Sequence, residues 1–106
     1  MIKTKLQYEV RAEIAKALAH PTRLLLLDAL LEKDFCVCEL TELVGADQST
    51  VSKHLAILKD AGFVVMEKQG SMNIYSIRCQ CLDQFFGCIE SVLRQKLQAQ
   101  QELVEI

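Results

Sequence analysis

The sequence lacks an apolar run long enough to cross a membrane. Its longest, residues 24–31, is broken by Asp28 and falls far short of the ~20 residues that a spanning helix needs. The N-terminal stretch from Met1 to Val10 lacks the apolar core of a secretion signal. We therefore expect a cytoplasmic protein with no membrane partner. Repeats, low-complexity tracts and linkers are also missing, and a length of 106 residues suits one domain rather than two. No glycine-rich phosphate loop is present. The two histidines, His20 and His54, both lie away from the cysteine motifs in sequence. A cysteine nucleophile needs a base close by, so we expect no enzyme. An excess of positive charge is absent as well, the formal net charge being −2. Between residues 48 and 75, Lys53, Lys59 and Lys68 outnumber Asp60 and Glu67, so this segment carries +1 and the remainder −3. That asymmetry permits contact with nucleic acid without arguing for it.

Apolar residues make up 51% of the chain and charged residues 25%, a globular composition. Leu6, Val10, Ile14, Ala17 and Leu18 follow a helical rhythm, predicting a first helix over residues 3–18. Pro21 suits the first turn of a second helix over residues 21–32, which is apolar almost all round and so expected to be buried. Asp34 is a good N-cap for a short third helix reaching residue 44, with Val37, Leu40, Leu43 and Val44 facing inward. After the turn Gly45-Ala46-Asp47, a fourth helix over residues 48–60 turns Val51, Leu55 and Leu58 inward, and Gly62 stops it. Two β-prone runs, residues 63–66 and 74–77, flank Gln69-Gly70-Ser71 and predict a hairpin. Helical spacing resumes from Leu82 for about 22 residues, or about 33 Å. A core this small cannot cover so long an apolar stripe, which implies a second copy packed against it.

Two helices joined by a three-residue, glycine-containing turn and followed by a hairpin make a helix-turn-helix with a wing. The fold expected is mainly α with a small β-hairpin, in the order α-α-α-α-β-β-α. Opposite the apolar face of the fourth helix lie Ser49, Ser52, Lys53, Ala56 and Lys59. Gln48, Ser49 and Thr50, at its start, are short polar groups suited to base edges. Lys53, His54 and Lys59 are candidates for phosphate contact, and the small Ala56 lets the helix approach the groove floor. At the hairpin tip, Lys68, Ser71 and Asn73 suit a wing that touches the sugar-phosphate backbone. Tyr75 is expected in the core with its hydroxyl at the surface. An ordinary amphipathic surface helix remains the plainer alternative, as does a protein-interaction module without a DNA role.

The segments Ala19-His20-Pro21-Thr22-Arg23-Leu24, Gln48-Ser49-Thr50-Val51-Ser52-Lys53-His54-Leu55 and Leu58-Lys59-Asp60-Ala61-Gly62-Phe63-Val64 closely resemble the ArsR/SmtB family of metal-sensing repressors, over residues 10–97. The resemblance implies a homodimer built through the first and last helices. It also implies a palindromic operator in double-stranded DNA, bound by the metal-free form and released on metal binding.

Five cysteines are present, an odd number that argues against a fully paired disulfide framework. In a reducing compartment such thiols read as metal-binding or redox groups. Cys36 and Cys38 stand at the start of the third helix, where unsatisfied backbone N–H groups should favour the thiolate, and thiolates select soft ions. On a regular helix residues two apart point about 200° from each other. Either Cys36 therefore lies in the cap outside the helix, or ion binding must unwind the first turn. The pair is similar to the Cys-Val-Cys motif of the family's arsenite, cadmium and lead sensors. Relatives sensing arsenite carry a third cysteine where this chain has Thr41, and those sensing cadmium draw cysteines from an N-terminal arm that has none here. The resemblance thus implies arsenite or antimonite as inducer, with another thiophilic ion (Cd, Pb, Zn) or a redox or persulfide signal as the alternative. Cys79, Cys81 and Cys88 form a possible additional site. By the resemblance, Cys79 and Cys81 occupy the carboxylate and histidine positions of the zinc and cobalt sensors, whose partner half would fall at Val92 and Gln95. Cys88, seven residues beyond Cys81 and about 10.5 Å away by helical rise, cannot join it on one ion within a single chain.

Overall fold

The computed structural model describes residues 1–105. Eight elements follow in order: α1 (Lys5–Lys16), α2 (Pro21–Glu32), β1 (Phe35–Cys36), α3 (Val37–Val44), α4 (Gln48–Asp60), β2 (Val64–Gln69), β3 (Met72–Ile77) and α5 (Leu82–Glu105). Local chemistry accounts for most boundaries. Thr4 and Gln7 form a reciprocal capping box at the start of α1. His20 caps α2, with Pro21 in its first turn. Gly45 takes the left-handed conformation (φ 77°) at the end of α3, and its N–H donates to the Thr41 carbonyl.

The sheet holds one strand more than the expected hairpin. Its order is β1-β3-β2, antiparallel throughout, with Phe35 opposite Tyr75 and Cys36 opposite Ile74. This corrects the start of α3. Asp34 does not cap it, because β1 pairing keeps the chain extended for two further residues and passes the N-cap to Cys36 (φ −79°, ψ 160°). The first helix is also shorter than its apolar rhythm suggested, ending at Lys16.

Leu26, Leu27, Leu30, Leu40, Val51, Leu55, Leu58 and Val64 form the fully buried centre. The expected inward face of α4 is thus borne out. Leu25 and Leu43, expected to be buried, are exposed instead, on the rim of a depression of about 480 Å³ that Phe35 also lines. Tyr75 is half-buried against the core. No residue of α1 itself is buried, and Leu6, Val10 and Ile14 stand exposed along it. In α5 only Leu82 and Phe86 pack against the core, while Phe85, Ile89, Val92, Leu93 and Leu97 are exposed. At 1.5 Å per residue, the 24 residues of α5 extend about 36 Å, well past the core. Among the described residues, no helix is long and apolar enough to cross a membrane.

Candidate functional site

α3 and α4 meet across the three-residue turn, and the wing follows directly from α4. Asp47 caps α4: its carboxylate accepts from the Thr50 N–H at 2.8 Å and from the Ser49 hydroxyl at 3.1 Å. These bonds, Thr50 first, hold the Asp47 carboxyl below its ordinary pKa. With the Ser49 hydrogen engaged, its oxygen still has acceptor capacity. Gln48, Ser49, Thr50, Lys53, Ala56 and Lys59 are exposed and Ser52 is half-buried. At the wing, Lys68 stands opposite Asn73 in the β2–β3 register and Gly70-Ser71 forms the tip. Lys68 and Ser71 are exposed and Asn73 is half-buried.

His54 is placed differently from the rest of this group. It is half-buried, its ring centroid lies 4.4 Å from that of His20, and its Nδ1 accepts from the Arg23 guanidinium at 3.1 Å. Arginine only donates, so the His54 ring proton belongs on Nε2. Burial first, then the fields of His20 and Arg23, push its pKa below the ordinary value. A neutral imidazole brings no positive charge to a phosphate, and its Nδ1 is already engaged by Arg23. Arg23 also donates from Nε to the Ala17 carbonyl at 2.6 Å and from Nη2 to that of Lys16 at 3.4 Å. It therefore ties the end of α1 to α4. Sequence reasoning did not assign Arg23 a role, although it lies in the first of the three segments that carry the family resemblance.

The cysteines fall into two pairs. Cys36 is 4% exposed and Cys38 is exposed, and their sulfurs lie 2.9 Å apart. Because Cys36 occupies the extended cap and Cys38 the first turn, no helix need unwind for both sulfurs to face one point. The Cys36 N–H donates to Glu39 Oε1 at 3.0 Å, which together with Cys36 Sγ lowers the Glu39 carboxyl pKa. The expected lowering of the thiol pKa is not what the structure shows for Cys36. The Cys38 thiol, and after it burial, push Cys36 up against the opposing Glu39 backbone N–H. Thr41 spends its hydroxyl on the Val37 carbonyl at 2.7 Å. Cys79 and Cys81 form the second pair, with sulfurs 2.8 Å apart. Cys88 is exposed on α5 and joins neither pair. Among the described residues, no group of three or more His, Cys, Asp or Glu side chains is placed to hold one metal ion.

The family model for bacterial regulatory proteins of the arsR family matches residues 20–65. An HTH-type transcriptional regulator of Methanocaldococcus jannaschii is 46% identical over 72 residues, covering 67% of this chain and 81% of that protein. The crystal structure of a Mycobacterium tuberculosis protein matches with TM-score 0.81 and 34% identity, over 92% of this chain and 98% of that one. The chain belongs to the arsR family. The arsenical resistance operon repressor of Staphylococcus xylosus, 33% identical over 78 residues, covers 74% of this chain and 75% of its own length. A homodimeric winged helix-turn-helix DNA-binding domain from Mycobacterium bovis matches with TM-score 0.76 and 25% identity, over 92% and 93% of the two chains. As an arsR-family member the chain is a DNA-binding transcriptional regulator and not an enzyme.

Proposed function

We propose that this regulator is a repressor relieved by arsenite or antimonite, which Cys36 and Cys38 hold. The observation that carries this reading is the 2.9 Å separation of the two sulfurs at the joint between β1 and α3. A soft donor set of two thiols, with no hard ligand completing it, suits a thiophilic centre. With the Thr41 hydroxyl engaged in its own helix, Cys36 and Cys38 are the two donors this joint supplies. The joint bears on both DNA-reading elements. Cys36 pairs with Ile74 of the wing strand, and α3 packs on α4 through Leu40, Val51 and Leu55 in one core. A change in how the cap residue sits is therefore felt by wing and recognition helix together.

In this reading Gln48, Ser49, Thr50 and Ser52 face base edges, while Lys53, Lys59, Lys68, Ser71 and Asn73 contact the sugar-phosphate backbone. The exposed apolar faces of α1 and α5 pair two copies over a palindromic operator, as the homodimeric Mycobacterium bovis domain supports.

The test is operator binding by fluorescence anisotropy, with and without arsenite, under reducing conditions. Cys36→Ser and Cys38→Ser should bind the operator as the wild type does and fail to release it. Coupling of the usual ~1–3 kcal/mol corresponds to a 5- to 150-fold loss of wild-type affinity on loading. Release preserved in both variants rejects the site.

A further inference from the structure

We propose that Cys79 and Cys81 form a second two-thiolate site, independent of Cys36 and Cys38, that captures a monosubstituted trivalent arsenical. The two sulfurs lie 2.8 Å apart in the short link between β3 and α5. They are not covalently joined, since a disulfide brings sulfurs to ~2.05 Å. A small side-chain rotation opens them to the roughly 3.5 Å spanned by two sulfurs each about 2.3 Å from a pyramidal trivalent centre, a bond length similar to that of a zinc thiolate. The backbone beneath them is held in place. The Cys79, Gln80 and Cys81 carbonyls accept from the N–H groups of Leu82, Asp83, Gln84 and Phe85, so the thiols sit in a turn anchored to the start of a long helix. Cys79 packs against the core while Cys81 is exposed. An ordinary core cysteine would be buried, and the exposure of Cys81 gives a ligand a way in.

The donor set selects the ligand. No histidine or carboxylate makes a group of three with this pair among the described residues. A structural zinc site, which wants four ligands, is therefore unsupported within one chain. A trivalent arsenic already bearing one carbon needs two sulfurs and no more. In the capture step two S–H bonds and the arsenic–oxygen bonds break and two As–S bonds form. The protons and the oxygen leave as water, and arsenic stays trivalent, so no oxidant is required. The site joins the wing strand to the helix whose apolar face is exposed, a different junction from that of Cys36 and Cys38.

Phenylarsine oxide is the probe, added to the reduced full chain and read by native mass spectrometry. The wild type should take two arsenicals per chain. The Cys36→Ser/Cys38→Ser and Cys79→Ser/Cys81→Ser variants should each take one. A four-serine variant, which keeps Cys88, should take none. A folded Cys36→Ser/Cys38→Ser protein that takes none overturns the proposal, as does a four-serine variant that still takes one. Tryptic mapping of the wild type needs no variant: one arsenical belongs on residues 34–53 and one on residues 79–94, and an unmodified second peptide has the same adverse meaning. Because the count is made without DNA, it stands or falls separately from operator release.

Discussion

Replacing Arg23 with methionine keeps most of the aliphatic stem and removes three hydrogen bonds: to Ala17 at 2.6 Å, to Lys16 at 3.4 Å and to His54 at 3.1 Å. Bonds from a charged donor contribute ~1.5–3 kcal/mol when well made. The longest of the three is solvent-exposed and counts for little, and Arg23 is itself only half-buried. We therefore take the loss for the set as ~2 kcal/mol. For a domain of this size ~1 kcal/mol shifts the melting temperature by ~4 °C, so the expected fall is ~8 °C. Thermal unfolding followed by circular dichroism measures it, at one fixed protein concentration, since the melting point of a dimer depends on concentration. A second readout is the His54 titration by NMR. Burial, His20 and Arg23 all lower its pKa, so removing the guanidinium should raise it. The pH dependence has a definite sign. With a folded pKa below the unfolded ~6.5, the His54 contribution is complete above pH ~6.5 and is lost as pH falls through the folded value. A variant that melts within ~1 °C of wild type with an unaltered His54 titration would refute the role of Arg23 as the tie between α1 and α4.

Three further outcomes are expected. Lys53→Ala should weaken binding to any duplex alike and reduce the slope of log affinity against log salt by about 1, measured by anisotropy over a salt series; a slope unchanged within error removes Lys53 from the interface. Gly45→Ala should cost ~1–2 kcal/mol in denaturant unfolding, because a Cβ there meets no neighbour within 4 Å and the whole penalty lies in the left-handed backbone; an unchanged midpoint contradicts that. Leu93→Asp, on the exposed apolar face of α5, should convert dimer to monomer in sedimentation velocity and weaken operator binding with it. A dimer that persists moves the interface elsewhere.

What the residues reveal in advance depends on whether local pattern or distant pairing decides. α4 was legible because Val51, Leu55 and Leu58 repeat at helical spacing between a capping aspartate and a stopping glycine. β1 was not, since two residues carry no period, and their conformation is set by a strand some forty positions away. The same pairing overrides Asp34, a good cap by local preference. Leu25 was unexpected because a helix apolar on nearly every side does not say which side faces water, whereas Leu43 lies on an amphipathic α3 whose buried residue is Leu40. His54 read as one more polar group on a surface helix until Arg23, 31 positions upstream, turned it inward. The raised pKa of Cys36 has a similar origin: helix position favours the thiolate, but a second thiol 2.9 Å away outweighs it.

β1 is only two residues long. So short a ladder has little stability of its own, and its amide protons should exchange with solvent well before those of the β2–β3 hairpin. It therefore works as a fuse. The hairpin is also held to the body by Val64, Tyr75 and Ile77, so loss of β1 should leave it in place, and the residue at the end of β1 is a cysteine. If Cys36 holds arsenic as proposed, this two-residue ladder is strained first, and faster amide exchange at Phe35 and Cys36 on loading is the expected sign.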